Sequence, residues 1–317
     1  GRDVLKKDPF LGEIGDITDG GVEIGCGWHS GKLGRFFGLG KRISWKILFP
    51  HLKGWPYEAS YRGMETGYLI GATVLAAAGA VFGWRSRGEE GLGHRAFWWM
   101  VGAFIFQLLF LGVRGELRGQ CPLNDLGEIC LFLAWSLTFF YLVTGSTYRF
   151  SLLGVFTAPV VVVLQLVTLM PGALDVNPQR VEVVDAWRES HAAFSVLSYG
   201  ALTLAAVAGV MFLVLNKQLK KRQLQGGIMT GMPSVSRLVQ AMARIAAVGW
   251  IVLTIGVVSG LLMEEGDINA HLIVAVVTWV LYAVLLGIYF VRGLPGRQLA
   301  WGLIILFVLS LVVFGKL

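Results

Sequence analysis

The sequence predicts an all-α membrane protein, a bundle of about eight transmembrane helices. Three observations carry that prediction. Hydrophobic residues make up 55% of the 317 and charged residues only 15%, against about a quarter charged in soluble domains. The apolar residues gather into eight long runs, and the mean hydropathy is +0.67. The loops between the runs alternate in charge. A soluble fold of this length cannot bury so much apolar surface and still cover itself with polar groups. The composition therefore excludes a soluble enzyme, a nucleic-acid binder and a disordered regulator, and makes the lipid bilayer the first partner.

Residues 1–63 stand apart. They are Gly-rich and mixed in charge, with ten basic residues and no sustained periodicity. They lack the basic, apolar and small-residue succession of a signal peptide. Two expectations are open. One is a poorly ordered tail with an interfacial stretch around Phe36–Pro50, where aromatic and basic residues interleave. The other is that Met64 is the natural start and the upstream part is not native, which fits a chain that opens on Gly1. The functional unit is then 64–317.

The eight spans follow in order at 66–84, 96–113, 126–144, 150–170, 190–215, 245–263, 269–291 and 298–315. Each is close to the roughly 20 residues a helix needs, at about 1.5 Å per residue, to cross about 30 Å of hydrocarbon. None shows the alternation of a barrel strand. In lipid every backbone group must be satisfied within the segment, so helices are the solution.

The connections fix the expected topology. The loop after the first span carries Arg85, Arg87 and Arg95. The next alternate loop carries Arg149. The longest carries Lys217, Lys220, Lys221, Arg222, Arg237 and Arg244 and no acid, and the last carries Arg292 and Arg297. The other three loops hold Arg114, Arg118, Arg180 and Arg188 among ten acids. The positive-inside rule counts Lys and Arg and puts the first set in the cytoplasm. Both ends of the eight-helix unit then lie outside, in a multi-pass protein of a bacterial cytoplasmic (inner) membrane.

Little obvious chemistry is encoded. No ionisable residue is expected near the midplane, which argues against a proton pump. There is no P-loop, G-x-S-x-G or H-E-x-x-H, and no C-x-x-C among Cys26, Cys121 and Cys130. A Cys121–Cys130 bridge is not expected across two helical turns. No catalytic nucleophile or acid–base pair is expected either, so the chain reads as an accessory or a part of a complex rather than an enzyme by itself. Gly249, Gly256 and Gly260 in the sixth span suit a transporter or, equally, close helix packing.

Of five histidines, His29 and His51 fall in the N-terminal segment and His94 in a basic loop. His191 and His271 differ. They open the fifth and seventh spans, which run in the same direction, so the two imidazoles are expected at one depth on the outer face. From His191 the same helix face carries Ser195, Ser198 and Tyr199; from His271 it carries Ala275, Thr278 and Trp279, with Tyr282 a turn further. Two neutral imidazoles at a membrane surface suit the axial positions of haem iron. Arg188 suits a haem propionate. The bland alternative is two interfacial histidines bonded to loop carbonyls or water. Trp98, Trp99, Trp187 and Trp301 read as interfacial anchors.

Several stretches together resemble the CcsA/HemX branch of the cytochrome c assembly proteins. One is the run from Gly119 through Pro122 and Leu123 to Glu128, continuing to Phe132 and Trp135. Another is His191 with Ser195, Ser198 and Tyr199. A third is Met232, Pro233, Ser234 and Arg237, then Thr254 with Gly256 and Gly260. The last is Thr278, Trp279 and Tyr282, followed by the Arg292 to Arg297 turn. The resemblance spans about 66–317 and is specific in combination. It implies haem handling, with haem b as cofactor, for cytochrome c maturation at the outer face. His191 and His271 would match the family's outward-facing histidines, with Arg188, Tyr199 and Trp279 beside the cofactor. Apocytochrome c and other cytochrome c biogenesis membrane proteins would be partners. One departure stands out. The family's haem-delivering members carry a Trp-rich loop between the sixth and seventh spans, and here that loop is only Glu264, Glu265, Gly266 and Asp267. This resembles the HemX-like subgroup, and implies as the alternative a membrane regulator of tetrapyrrole biosynthesis working through protein contacts. Its surface would be the basic loop around Lys220, Lys221 and Arg222, which otherwise is a topology signal.

Overall fold

The computed structural model describes residues 57–85, 90–148, 151–175, 178, 185–220, 235–263 and 270–314. The interfacial stretch Phe36–Pro50, His29, His51, Cys26, Arg149, Arg180, Lys221, Arg222, Met232 to Ser234 and Glu264 to Asp267 lie outside the described residues.

Among the described residues eight helices form, one for each expected span: α1 (Tyr57–Arg85), α2 (Glu90–Arg118), α3 (Leu126–Tyr148), α4 (Ser151–Thr168), α5 (Ala186–Lys220), α6 (Val235–Leu261), α7 (Ala270–Arg292) and α8 (Gly296–Phe314). Six are long and apolar enough to cross a membrane, while α4 and α8 hold shorter apolar helices, Leu152–Thr168 and Gly296–Leu311. The chain is an all-α, multi-pass membrane protein. The expected boundary between 63 and 64 falls inside α1. Several ends also move outward for a physical reason. α2 runs on to Arg118, and α6 begins at Val235, because charged residues extend a helix beyond its apolar stretch where their heads find partners or water.

Cross-contacts give an antiparallel order along the chain. Gly71 meets Phe106 and Gly83 meets Ala96 between α1 and α2. Gly249 meets Leu202 between α5 and α6, and Gly302 meets Leu285 between α7 and α8. α5 is the central pillar: 83% of its apolar window is buried, against 22% for α7. It packs on α3, α4, α6 and α8. The main core around it is rich in small residues, among them Ala134, Ala201, Ala205, Ala208, Ala241, Ala246 and Ala300. In lipid no hydrophobic drive separates helix from solvent, so short side chains that let backbones approach supply the cohesion. At Gly200 the approach is complete, since a Cβ there would run into Ser136 of α3. The opposite helix faces are apolar and exposed, as at Ile70, Val74, Ile251, Ile255, Val277, Val284 and Ile305, and suit contact with lipid.

Candidate functional site

One end of the bundle carries the α2–α3, α4–α5 and α6–α7 connections, and we call it the acidic end. Two polar assemblies sit there. The first joins α1, α2 and α3. Arg114 and Arg118 are one turn apart on α2, and Asp125 and Glu128 flank the start of α3. Arg114 Nε donates to Glu128 Oε1 at 2.7 Å, and Arg118 Nε donates to the same oxygen at 2.7 Å. Arg114 also reaches Asp125 at 3.2 Å and Glu65 of α1 at 3.4 Å. Arg118 pairs with Asp125 as well. Glu128 Oε2 accepts from the Asn124 N–H at 3.0 Å and the Asp125 N–H at 3.4 Å, reaching back from the third position of α3 over its start. Arg114 donates to the Asp175 carbonyl at 2.8 Å, and Asp125 accepts the Asp175 N–H at 2.9 Å. The cluster thus locks the α2–α3 loop and the start of the α4–α5 connection to α1.

These residues correct an expectation. Arg114 and Arg118, expected in the loop after the second span, lie in the last turns of α2, and the cluster is buried: Glu128 is 0% exposed and Arg114 2%. Mutual neutralisation at the helix ends is what permits the burial. The signal was in the sequence: two arginines four apart at the end of one helix, and two acids three apart at the start of the next. Neither Cys121 nor Cys130 forms a disulfide among the described residues, and Cys121 is buried.

The second assembly is a seam between α5, α6 and α7. Gly256 and Gly260 sit one turn apart on α6. A Cβ at Gly256 would come 3.0 Å from Ser195 Oγ and 3.1 Å from its backbone nitrogen. A Cβ at Gly260 would come 2.6 Å from His191 Nδ1 and 2.7 Å from Leu272 of α7. Only glycine admits so close an approach. His191 Nδ1 lies 2.7 Å from the Gly256 carbonyl oxygen. A carbonyl only accepts, so in the neutral ring Nδ1 carries the proton and Nε2 keeps its lone pair. The ring is half-buried, and Ser195 Oγ below it has no hydrogen-bond partner among the described residues.

Gly260 touches His191 and Leu272 together, so it places the first turns of α5 and α7 at one depth. Deeper, the Tyr199 hydroxyl hydrogen-bonds with Thr278 and Ser310. The two pairings, His191 with Leu272 and Tyr199 with Thr278, make α5 and α7 parallel, as their charge flanks predicted. α6 and α8 each pack on both. The face predicted to turn inward does so: Ser198, Tyr199, Ala275, Thr278 and Tyr282 are all buried. Trp279 turns toward α6, stacks on Trp250 with ring centroids 5.6 Å apart, and donates to Thr254 Oγ1 at 2.8 Å. Arg188 is exposed three residues before His191, on the same side of the helix. The backbone of His271 opens α7, while its side chain lies outside the described residues.

The fold and this seam define a class: a polytopic helical membrane protein with an oriented imidazole at one end of the bundle and no metal-binding group of three His, Cys, Asp or Glu among the described residues. Comparison with known proteins makes the class specific. The profile of the family described as Cytochrome C assembly protein matches residues 123–316, and the chain belongs to that family. Its relatives include the cytochrome c biogenesis protein CcsA of Trichormus variabilis, 34% identical over 119 residues, which cover 37% of this chain and 34% of that protein. The CcsA of Chlamydomonas reinhardtii is 27% identical over 211 residues, covering 61% and 57%. That of Prochlorococcus marinus is 25% identical over 281 residues, covering 80% and 89%. The chain thus matches about a third of the length of the Trichormus variabilis protein. These relatives bear the CcsA name and give the HemX-like alternative no support. The short loop that suggested it is a weaker signal than a match running across six helices.

Proposed function

We propose that this chain handles haem during cytochrome c maturation, at the outer face of a bacterial cytoplasmic membrane, with His191 and His271 as axial ligands of a haem b. One observation carries the reading. The His191 ring is fixed through Nδ1 by the Gly256 carbonyl, so Nε2 is presented with its lone pair free, beside the start of the helix that bears His271. Metal-binding imidazoles are oriented in this manner by a second hydrogen bond that sets tautomer and ring plane. The residues present fit the group. One nitrogen is oriented, and Arg188 is exposed a turn away for a propionate. When bound, haem supplies an iron that takes two imidazole nitrogens. Tyr199 and Trp279 hold the walls, and their own polar atoms already have partners. The family membership and the CcsA relatives support a place in cytochrome c biogenesis, with apocytochrome c and other biogenesis membrane proteins as partners. The basic loops would face the cytoplasm and the acidic end the outside, with 64–317 as the working unit.

The test is an absorption spectrum of the detergent-purified protein with haem. We expect a six-coordinate low-spin band that His191→Ala and His271→Ala each abolish. An unchanged spectrum in the double variant would sink the ligand assignment.

A further inference from the structure

The two assemblies at the acidic end are joined by a single carboxylate. Glu189 stands in the first turn of α5, two residues before His191. Its Oε1 accepts the backbone N–H of Cys121, in the middle of the α2–α3 loop. That loop is held on both sides by the arginine cluster: Arg118 and Arg114 grip Asp125 and Glu128 at its far end, and Gly119, with φ at +69°, closes α2 at its near end. The same turn of α5 is fastened on its other flank, where His191 Nδ1 meets Gly256 of α6. Positions 189 and 191 lie about 200° apart around a helix of about 3.6 residues per turn. The turn is therefore held from two opposite sides, by the loop and by α6. Glu189 Oε2 is buried with no partner among the described residues. A carboxylate oxygen left unpaired in a buried site is costly, and a residue serving only solubility would not be placed so.

We infer that Glu189 is a positioning residue: it ties the first turn of α5 to the α2–α3 loop and thereby sets the place and angle of the His191 ring. The consequence for ligand binding rests on the haem reading above. The tie itself does not. Without it, the turn loses its hydrogen-bonded tie to the loop and the ring can pivot about its bond to Gly256. Gln at 189 keeps one oxygen able to accept the Cys121 N–H, whereas Ala keeps none.

The experiment uses the full chain in detergent, as wild type, Glu189→Ala and Glu189→Gln. Without haem, amide hydrogen exchange is followed at Cys121 and at Arg188–Phe194, together with the rate of diethylpyrocarbonate modification of His191. We expect Glu189→Ala to speed exchange at Cys121 and along the turn by about tenfold or more, the scale of a lost hydrogen bond to a charged group. It should also change the His191 modification rate, and Glu189→Gln should restore both. With haem, Glu189→Ala should shift the low-spin band toward high spin, and Glu189→Gln should return it. Unaltered exchange and modification in Glu189→Ala would overturn the inference. So would faster exchange at Cys121 with an unaltered His191 rate, since the tie would then not reach the ring. If the wild type shows no histidine-dependent haem band, the functional reading fails, while the haem-free measurements still decide the role of Glu189.

Discussion

The arginine cluster and the glycine seam share one end of the bundle and are built on opposite principles. In the cluster, Glu128, Arg114 and Arg118 are surrounded by partners, and nearly every charged atom is engaged. In the seam, contact comes from the absence of side chains at Gly256 and Gly260, and a single hydrogen bond orients His191. The cluster is closed on itself but for Glu65 Oε1, which is buried with no partner among the described residues, and the seam is not. A polar site so nearly satisfied holds structure and has little valence left to offer a ligand. A site made by shape leaves one nitrogen unspent. On the proposed haem reading, stability belongs to α1–α3 and ligand binding to α5–α7.

The sharpest way to break the comparison is to remove a charge from the cluster. Arg114→Ala leaves Glu128 buried with one guanidinium fewer and takes from Glu65 its ion-pair partner. Breaking a buried pair from one side costs about 3–5 kcal/mol. We expect a large drop in Tm in detergent, with much of the protein lost to aggregation on size exclusion. A Tm within a few degrees of wild type would mean that the cluster is not the anchor. Next in size is Gly260→Ala. Its methyl would meet His191 Nδ1 and Leu272, and overpacking of this kind costs about 1–3 kcal/mol. The cost in stability should be smaller than for Arg114→Ala, but the haem band should suffer more, because the ring is pushed off its carbonyl. If Arg114→Ala protein that remains folded loses the haem band while Gly260→Ala keeps it, the assignment of roles is reversed.

The same contrast explains what could be read from the sequence. Every helix was legible, since a run of about 20 apolar residues has one solution in lipid. The parallel run of α5 and α7 followed from charge alternation alone, and the pairing of Tyr199 with Thr278 agrees with it. The seam was half legible: the glycines of α6 read as packing residues, but nothing local says that their partners are His191 and Leu272. The cluster was not read at all. Hydropathy assigns Arg114 to a loop because it scores a residue alone, whereas burial of Arg114 depends on Glu65, 49 positions away. Pairing across helices is a tertiary fact, and only the spacing of Arg114 to Arg118 and of Asp125 to Glu128 hinted at it.

Trp279→Phe tests the wall of the seam. It removes the N–H that reaches Thr254 and keeps a ring to stack on Trp250. The loss should be about 1 kcal/mol, the net worth of one hydrogen bond, seen as a modest fall in Tm. The haem band should keep its position if Trp279 is wall, and move if the indole touches the macrocycle.

Arg188→Ala should have the smallest effect and gives the finest test. Arg188 is exposed, three residues before His191 on the same side of α5. An ion pair formed in water contributes about 0.2–1 kcal/mol, so haem should bind roughly 1.4- to fivefold more weakly, with an unaltered Tm. The effect should also fade as salt rises, because screening acts on exposed charges first. A loss that persists at high salt would mean that Arg188 acts by packing against the ring rather than by charge. No loss at all would mean that the propionates point elsewhere. Either result would narrow the seam's chemistry to the nitrogen that Gly256 leaves free.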